Sequence, residues 1–276
     1  RRRAAAGAGP ALRRGTMSDG PVAFLDSGIG GLPYLAAVRR LLPGIPLVYA
    51  ADRANFPYGD KEPPAIVEAV LSLAGRLVER ARPRLVVVAC NTAAVVALDA
   101  LRRAFPLPFV GTVPAVKPAA SWTRSRRIGV LATRSTVEGA YLRDLVARFA
   151  AGCEVVGLAA NDLVAFVEHD LHRATAAERA ARAATEAERV RGAGVDTVVL
   201  GCTHFLHLEA ELRAAFGPGV TIVDSRDGVA RQVARIAGGA GGGAGHDSFH
   251  LTGPEPFAER HLFFAHEYGL EPAGTI

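Results

Sequence analysis

Short apolar runs separated by helical stretches recur along the chain, and this alternation constrains its fold more than any other feature. Val22–Leu25, Leu47–Ala50, Leu85–Ala89, Phe109–Gly111, Arg127–Thr133, Glu154–Leu158, Thr197–Leu200 and Val220–Asp224 read as strands. Helical periodicity fills the gaps at Leu32–Leu42, Glu62–Arg82, a stretch ending near Phe105, Val137–Ala150, Ala174–Gly192 and Asp227–Ile236. Strands joined by crossovers of this length predict α/β architecture, with parallel sheets carrying helices on both faces. The pattern restarts near Val116–Trp122, which predicts two pseudo-symmetric α/β domains. The first takes residues 17–115 together with 225–276, because the late segment packs back onto it; the second takes 116–224. Ser135 or Thr136 is expected to cap the helix that begins at Val137. The tail Ser248–Leu270 is expected to add one strand and one helix, and the His-rich 246–266 region to lie at the surface.

Composition sets the outer bounds. At 276 residues and 50% hydrophobic, the chain can bury the core of one large or two ordinary α/β domains. No apolar run approaches the length of a membrane-spanning helix. Three cysteines, Cys90, Cys153 and Cys202, form a sparse, odd set that suits a reducing compartment and not a disulfide scaffold. The formal charge of +5 would suggest nucleic-acid binding, but five of the arginines stand at positions 1, 2, 3, 13 and 14. Without them the remaining charge is near zero, so no nucleic-acid partner is expected. Residues 1–16 are expected to be upstream read-through or a disordered leader preceding Met17. Gly238–Gly245, with six glycines in eight residues, reads as a flexible linker.

The chemistry concentrates at strand ends, where open α/β sheets bind ligands. Leu85–Ala89 runs into Cys90-Asn91-Thr92, and Thr197–Gly201 runs into Cys202-Thr203-His204. Two buried strands thus each end in a small residue, a cysteine and two hydrogen-bonding side chains. A lone cysteine in apolar surroundings is usually structural; two at matching places, one with a histidine close enough to tune it, point to acid/base work. Cys153 has no such polar companions. Asp26-Ser27-Gly28-Ile29-Gly30-Gly31 follows the first strand and precedes a helix, but its glycines do not fit G-x-G-x-x-G. It sets a carboxylate and a hydroxyl at the strand end, before a helix N-terminus able to receive an anion; its simpler reading is an Asp cap. Phe56-Pro57-Tyr58-Gly59 alone would be only a turn. The Cys and His spacings match no zinc motif, and Glu168-His169-Asp170 with His172 reads as a solvated helix end except at Glu168.

Leu25-Asp26-Ser27-Gly28-Ile29-Gly30-Gly31-Leu32, Pro57-Tyr58-Gly59, Ala89-Cys90-Asn91-Thr92-Ala93 and Gly201-Cys202-Thr203-His204, in this order and at these spacings, resemble the glutamate racemases of the Asp/Glu racemase superfamily. The likeness runs from Val22 to about Ile236. It implies two pseudo-symmetric domains with the active site in the cleft between them. It also implies cofactor-independent interconversion of L- and D-glutamate in the cytoplasm, supplying D-glutamate for peptidoglycan. The expected partner is a small-molecule substrate, with no metal, nucleic acid or membrane, and a homodimer is an assembly it allows. Carried over position by position, Cys90 and Cys202 are the catalytic acid/bases. Asp26 assists Cys90, and His204 with Glu168 behind it assists Cys202. Ser27, Tyr58, Gly59, Asn91, Thr92, Thr203, Asp26 and His204 contact substrate. The chain departs from the family after Cys-Thr-His, where Tyr-Pro-Leu-Leu is usual and Phe205-Leu206-His207-Leu208 stands here.

Inversion at Cα requires a proton removed from one face and another delivered to the opposite face, a task two opposed thiols can share. With no pyridoxal-lysine motif in the sequence, the carbanion-like species is expected to be held by hydrogen bonds to the substrate carboxylate. By resemblance, Cys90 deprotonates the D-isomer and Cys202 the L-isomer. Three alternatives stay open at this level: an aspartate or hydantoin-type racemase, a Cys-His hydrolase with one nucleophile, and a binding module without catalysis.

Overall fold

All strand pairs are parallel, in two sheets. The computed structural model describes residues 20–238 and 245–276. The expected leader at 1–16, and positions 239–244 of the expected linker, lie outside the described residues. The strands are β1 (Val22–Asp26), β2 (Leu47–Ala51), β3 (Leu85–Val88), β4 (Phe109–Gly111), β5 (Arg127–Ala132), β6 (Glu154–Ala159), β7 (Thr197–Leu200), β8 (Thr221–Val223), β9 (Ser248–Leu251) and β10 (Glu271–Thr275). Between them lie α1 (Leu32–Leu41), α2 (Pro63–Ala81), α3 (Asn91–Ala104), α4 (Val116–Trp122), α5 (Arg134–Glu138), α6 (Ala140–Phe149), α7 (Asn161–His169), α8 (Ala176–Ala193), α9 (Glu209–Phe216), α10 (Arg226–Ala237) and α11 (Glu259–Glu267).

The first sheet runs β10-β9-β2-β1-β3-β4 and the second β6-β5-β7-β8. With the two C-terminal strands set aside, the first, second, third and fourth strands of each half occupy the same places. The late elements return to the first sheet: β9 pairs with β2, and α10 packs against α1. Side-chain alternation distributes β1 and β3 between two cores. Val22, Phe24, Leu85 and Val87 face α1 and α10, whereas Ala23, Leu25, Val86 and Val88 face α2 and α3. The core that holds Phe24 and Val87 continues into the second half through Ile29, Phe205 and Leu208 to Leu131, Val198 and Leu200. The halves are therefore fused by apolar packing as well as by chain.

Three local expectations are corrected. The helix after β5 is capped by neither Ser135 nor Thr136: Thr133 is the cap, its side chain accepting from the Thr136 N–H (3.4 Å). The strand ends at Ala132, so Thr133 is the first hydroxyl residue in extended backbone and the helix starts earlier. Gly139 interrupts it in extended conformation, splitting the stretch into α5 and α6. The tail Ser248–Leu270 supplies the expected strand and helix, β9 and α11, and beyond it β10 extends the sheet edge. The His-rich region is not wholly at the surface: His261 is buried, its Nδ1 accepting from the Ala258 N–H (3.2 Å) while its ring packs edge-on to Phe249 and Phe257.

Leu25 is fully buried in the central strand of the first sheet. Leu25→Ala is expected to lower unfolding free energy by about 2–5 kcal/mol, read from the urea midpoint at constant slope; a loss under ~1 kcal/mol would contradict this packing.

Candidate active site

Register puts the two cysteines in equivalent places. Leu25 pairs with Val88 across β1 and β3, and Leu131 with Leu200 across β5 and β7. Two residues beyond each pair stand Ser27 with Cys90 in one half and Thr133 with Cys202 in the other. Each cysteine leaves its strand and opens a helical turn: Cys90 is the N-cap of α3, and Cys202 precedes the 3₁₀ turn Thr203–Leu208. Both line one cavity of about 30 Å³, together with Ser27, Tyr58, Gly59, Asn91, Thr92, Thr203 and His204. Every residue expected at the site is thus at this cavity except Asp26 and Glu168, which stand directly behind it. Phe56, Thr133, Thr136 and Val164 also line it and were missed. Thr133 had a signal in the sequence: it is the hydroxyl two positions past Leu131, as Ser27 is past Leu25.

The companions of the two thiols differ. Asp26 is buried; its Oδ1 accepts from the Ser27 N–H (2.5 Å), and its Oδ2 from Thr203 Oγ1 (3.3 Å) in the other half. It does not cap α1, whose N-cap is Gly31 without a side-chain bond. Burial raises the Asp26 carboxyl to about 6, with His204 opposing and Glu168 adding to the rise. Burial also pushes the Cys90 thiol well up, and the neighbouring Asp26 charge adds to it. On the other side, His204 Nδ1 lies 3.8 Å from Cys202 Sγ, and its Nε2 lies 3.0 Å from Glu168 Oε2. Glu168 also accepts from the Ile29 N–H (2.9 Å). Burial, the largest single effect, opposes ionisation of Glu168, but the hydrogen bond and charge of His204 together with the Ile29 N–H outweigh it and hold the carboxyl below its usual range. For His204, burial opposes the charged form and the Cys202 and Glu168 contacts overcome it, raising the imidazole well above its ordinary value. The carboxylate can only accept, so Nε2 carries a hydrogen and Nδ1 faces sulfur.

Tyr58 and Asn91 are committed elsewhere in part. The Tyr58 hydroxyl donates to Asp52 Oδ2 (2.6 Å), leaving the loop backbone rather than the phenol to meet a ligand. Asn91 Nδ2 donates across the halves to the Gly201 carbonyl (2.6 Å), while its buried Oδ1 has no partner.

The glycine loop has no clearance. A Cβ on Gly28 would overlap the Glu168 carboxylate, and one on Gly30 would overlap His204 Nδ1 and stand 2.6 Å from Thr203 Oγ1. Gly30→Ala is expected to keep the fold yet cut turnover at least tenfold, by displacing His204; steady-state assay of a variant with unchanged circular dichroism checks it. Asp26 supplies a second expectation. Because the folded carboxyl titrates near 6 and the unfolded one near 3.8, ionising it costs folding free energy, and stability falls as pH rises between those values. Asp26→Asn is expected to be about 1–3 kcal/mol more stable than wild type at pH 7, with the gain gone below pH 4. Urea unfolding at both pH values reads this directly.

The model of the Asp/Glu/hydantoin racemase family matches residues 34–233. The glutamate racemase of Sphingopyxis alaskensis is 49% identical over 223 residues, 80% of this chain and 83% of that protein. The glutamate racemase of Roseiflexus sp. is 46% identical over 217 residues, 78% of this chain and 79% of its own length. Among solved structures, Escherichia coli glutamate racemase in complex with L-glutamate and the activator UDP-MurNAc-ala is similar at a TM-score of 0.84 and 37% identity. That match covers 93% of this chain and 98% of the other. Matched through most of its length in sequence and fold, the chain belongs to the Asp/Glu/hydantoin racemase family.

Proposed function

We propose that this chain interconverts L- and D-glutamate by proton transfer at Cα, with Cys90 and Cys202 as acid and base on opposite faces of the substrate. The observation that carries the reading is two cysteines at equivalent strand ends lining one cavity, in a chain resembling glutamate racemases over four-fifths of its length.

The Cα–H of an amino acid is a very weak acid, so the developing charge must be held as it forms. The α3 helix begins at Asn91 with no side-chain cap, so its first-turn N–H groups are available to a substrate carboxylate. Asn91 Oδ1, buried and unpartnered, supplies an acceptor for the substrate ammonium. Ser27, Thr92 and Thr203 supply hydroxyls at the same cavity, and the Tyr58-Gly59 backbone offers amides to the distal carboxylate.

Resting protonation suits one direction first. Cys90 is held as the thiol by burial and by Asp26, while Cys202 faces an imidazole whose charged form is favoured, against burial, by its contacts with Cys202 and Glu168. By resemblance to the family, Cys202 takes the proton from the L-isomer and Cys90 delivers one to form the D-isomer. For the return, Asp26, poised near 6, accepts the Cys90 proton and makes that sulfur the base. A cavity of about 30 Å³ holds water rather than an amino acid, so entry requires the halves to part and reclose, a gating step of the kind that limits many enzymes. In the cell, this activity supplies D-glutamate for peptidoglycan, in the cytoplasm, where both thiols stay reduced.

The test is deuterium wash-in at Cα in D₂O with each enantiomer of glutamate and of aspartate. Exchange and inversion with glutamate alone are expected. Exchange confined to aspartate would move the substrate, and accumulation of a covalent acyl-enzyme would indicate a Cys-His hydrolase instead. Cys90→Ser and Cys202→Ser are each expected to abolish racemisation while leaving glutamate affinity within a few-fold, by calorimetry. Near-wild-type turnover in either single variant would sink the two-base assignment.

A further inference from the structure

His207 stands where the chain departs from the family's usual Tyr-Pro-Leu-Leu, and the proposed chemistry gives it no task. Its Nε2 is 3.0 Å from the Ile29 carbonyl, which can only accept, so Nε2 carries the hydrogen and donates. Nδ1 is then the acceptor for the Tyr268 hydroxyl, 3.3 Å away. Burial lowers this imidazole to about 4, so it is neutral in the working range. Phe264 and Tyr268 pack edge-on to its ring, with centroids 5.2 and 5.7 Å away.

Ile29, whose carbonyl accepts from His207, donates through its own N–H to Glu168 Oε2 (2.9 Å). Glu168 in turn receives His204 Nε2 (3.0 Å), and His204 Nδ1 meets Cys202 Sγ (3.8 Å). A chain of contacts thus runs from Tyr268, just past α11, through His207 and the two peptide groups flanking the Ile29 Cα to the side chains around Cys202. Among the described residues no comparable chain reaches Cys90, whose neighbours include Asp26 and Ser27. Tyr49 steadies the same loop from the first half, its hydroxyl donating to the Gly28 carbonyl (2.8 Å) and accepting from the Gly31 N–H (3.0 Å). Ile29 itself is held by His207 and Glu168, and its carbonyl also accepts from the Leu32 N–H (3.2 Å).

We infer that His207 is a positioning residue for the Cys202 face: it fixes the Ile29 backbone, and through it the Glu168–His204 pair that serves the Cys202 sulfur. The inference rests on the racemase reading above and adds to it a residue that touches neither thiol.

The test compares wild type with H207L, H207Q and H207N, using L-[2-²H]glutamate and D-[2-²H]glutamate as separate substrates. Leucine removes the donor. Glutamine places its amide near the position of Nε2, and asparagine's amide is too short to reach Ile29. H207L and H207N are expected to lose roughly ten- to a hundredfold in kcat/KM, the scale of a small misplacement, and H207Q to recover most of it. Weakening only the Cys202 step makes abstraction from L-glutamate more fully rate-limiting. The deuterium effect on kcat/KM should therefore rise for the L-substrate and fall for the D-substrate in H207L and H207N. Should H207L fail to fold, the Gln/Asn pair gives the same reading. A loss of activity with both isotope effects unchanged, or equal activity in H207Q and H207N, would overturn the inference. The opposite divergence would keep His207 as a positioning residue and overturn the assignment of Cys202 to the L-face. Absence of Cα exchange in wild type would instead overturn the racemase reading itself.

Discussion

A carboxylate–imidazole pair, Glu168 with His204, is buried at the junction of the two halves, and the site is organised around its needs. Charges removed from water are tolerated only when geometry and further hydrogen bonds compensate them, and losing one partner leaves a bare buried charge at a cost of about 3–5 kcal/mol. Here the Ile29 N–H supplies the extra bond to Glu168, and Cys202 faces the other edge of His204. That demand explains the glycines. The loop must bring its backbone against the carboxylate at Gly28 and against the ring at Gly30, where no Cβ fits. The loop that in sequence reads as an Asp cap or an anion-receiving helix start is, in the structure, a backbone pressed against a buried ion pair.

The same junction is crossed by other bonds: Asn91 to the Gly201 carbonyl, Thr203 to Asp26, and His207 to Ile29. Beneath them one apolar core continues from the first sheet into the second. Each thiol therefore sits in a frame to which both halves contribute. Cys90 belongs to the first half, yet the Asp26 that governs it is bonded from the second. Cys202 belongs to the second half, yet its His204–Glu168 support is anchored by a first-half peptide. Parting the halves would break these bonds together, and reclosing would restore the surroundings of both thiols in one event.

The strands around the site were legible because parallel strands covered on both faces carry apolar residues at nearly every position; β3 and β7 are the clearest cases. The edge strand β10 was not, because Glu271-Pro272-Ala273-Gly274-Thr275 is exposed and contains a proline and a glycine, both poor strand formers. The cap at Thr133 was misplaced by the assumption that the helix follows the apolar periodicity, when Gly139 cuts that periodicity in two. Cys90 and Cys202 were legible through repetition of a short pattern. Thr133 was within reach through the same repetition, once the strands were aligned on Leu25 and Leu131. His207 and Tyr268 were beyond reach: they meet across sixty-one positions of sequence, and nothing local to either marks the encounter. His261 likewise gains its burial from Phe249 and Phe257, which only the folded tail brings around it.

The matched strand order carries unmatched side chains: Asp26 aligns with Ala132, and Thr92 with His204. Yet mirror-image amino acids have the same free energy in water, so the equilibrium constant between them is one. An enzyme that interconverts them is bound by that symmetry whatever its own shape, and its kcat/KM must be the same from either side. With unlabelled enantiomers the lopsided site shows in the rates only at saturation, in how much enzyme is held as one complex or the other. Such a device tilts occupancy without tilting the equilibrium, and a cell that drains one enantiomer can exploit that through concentration alone.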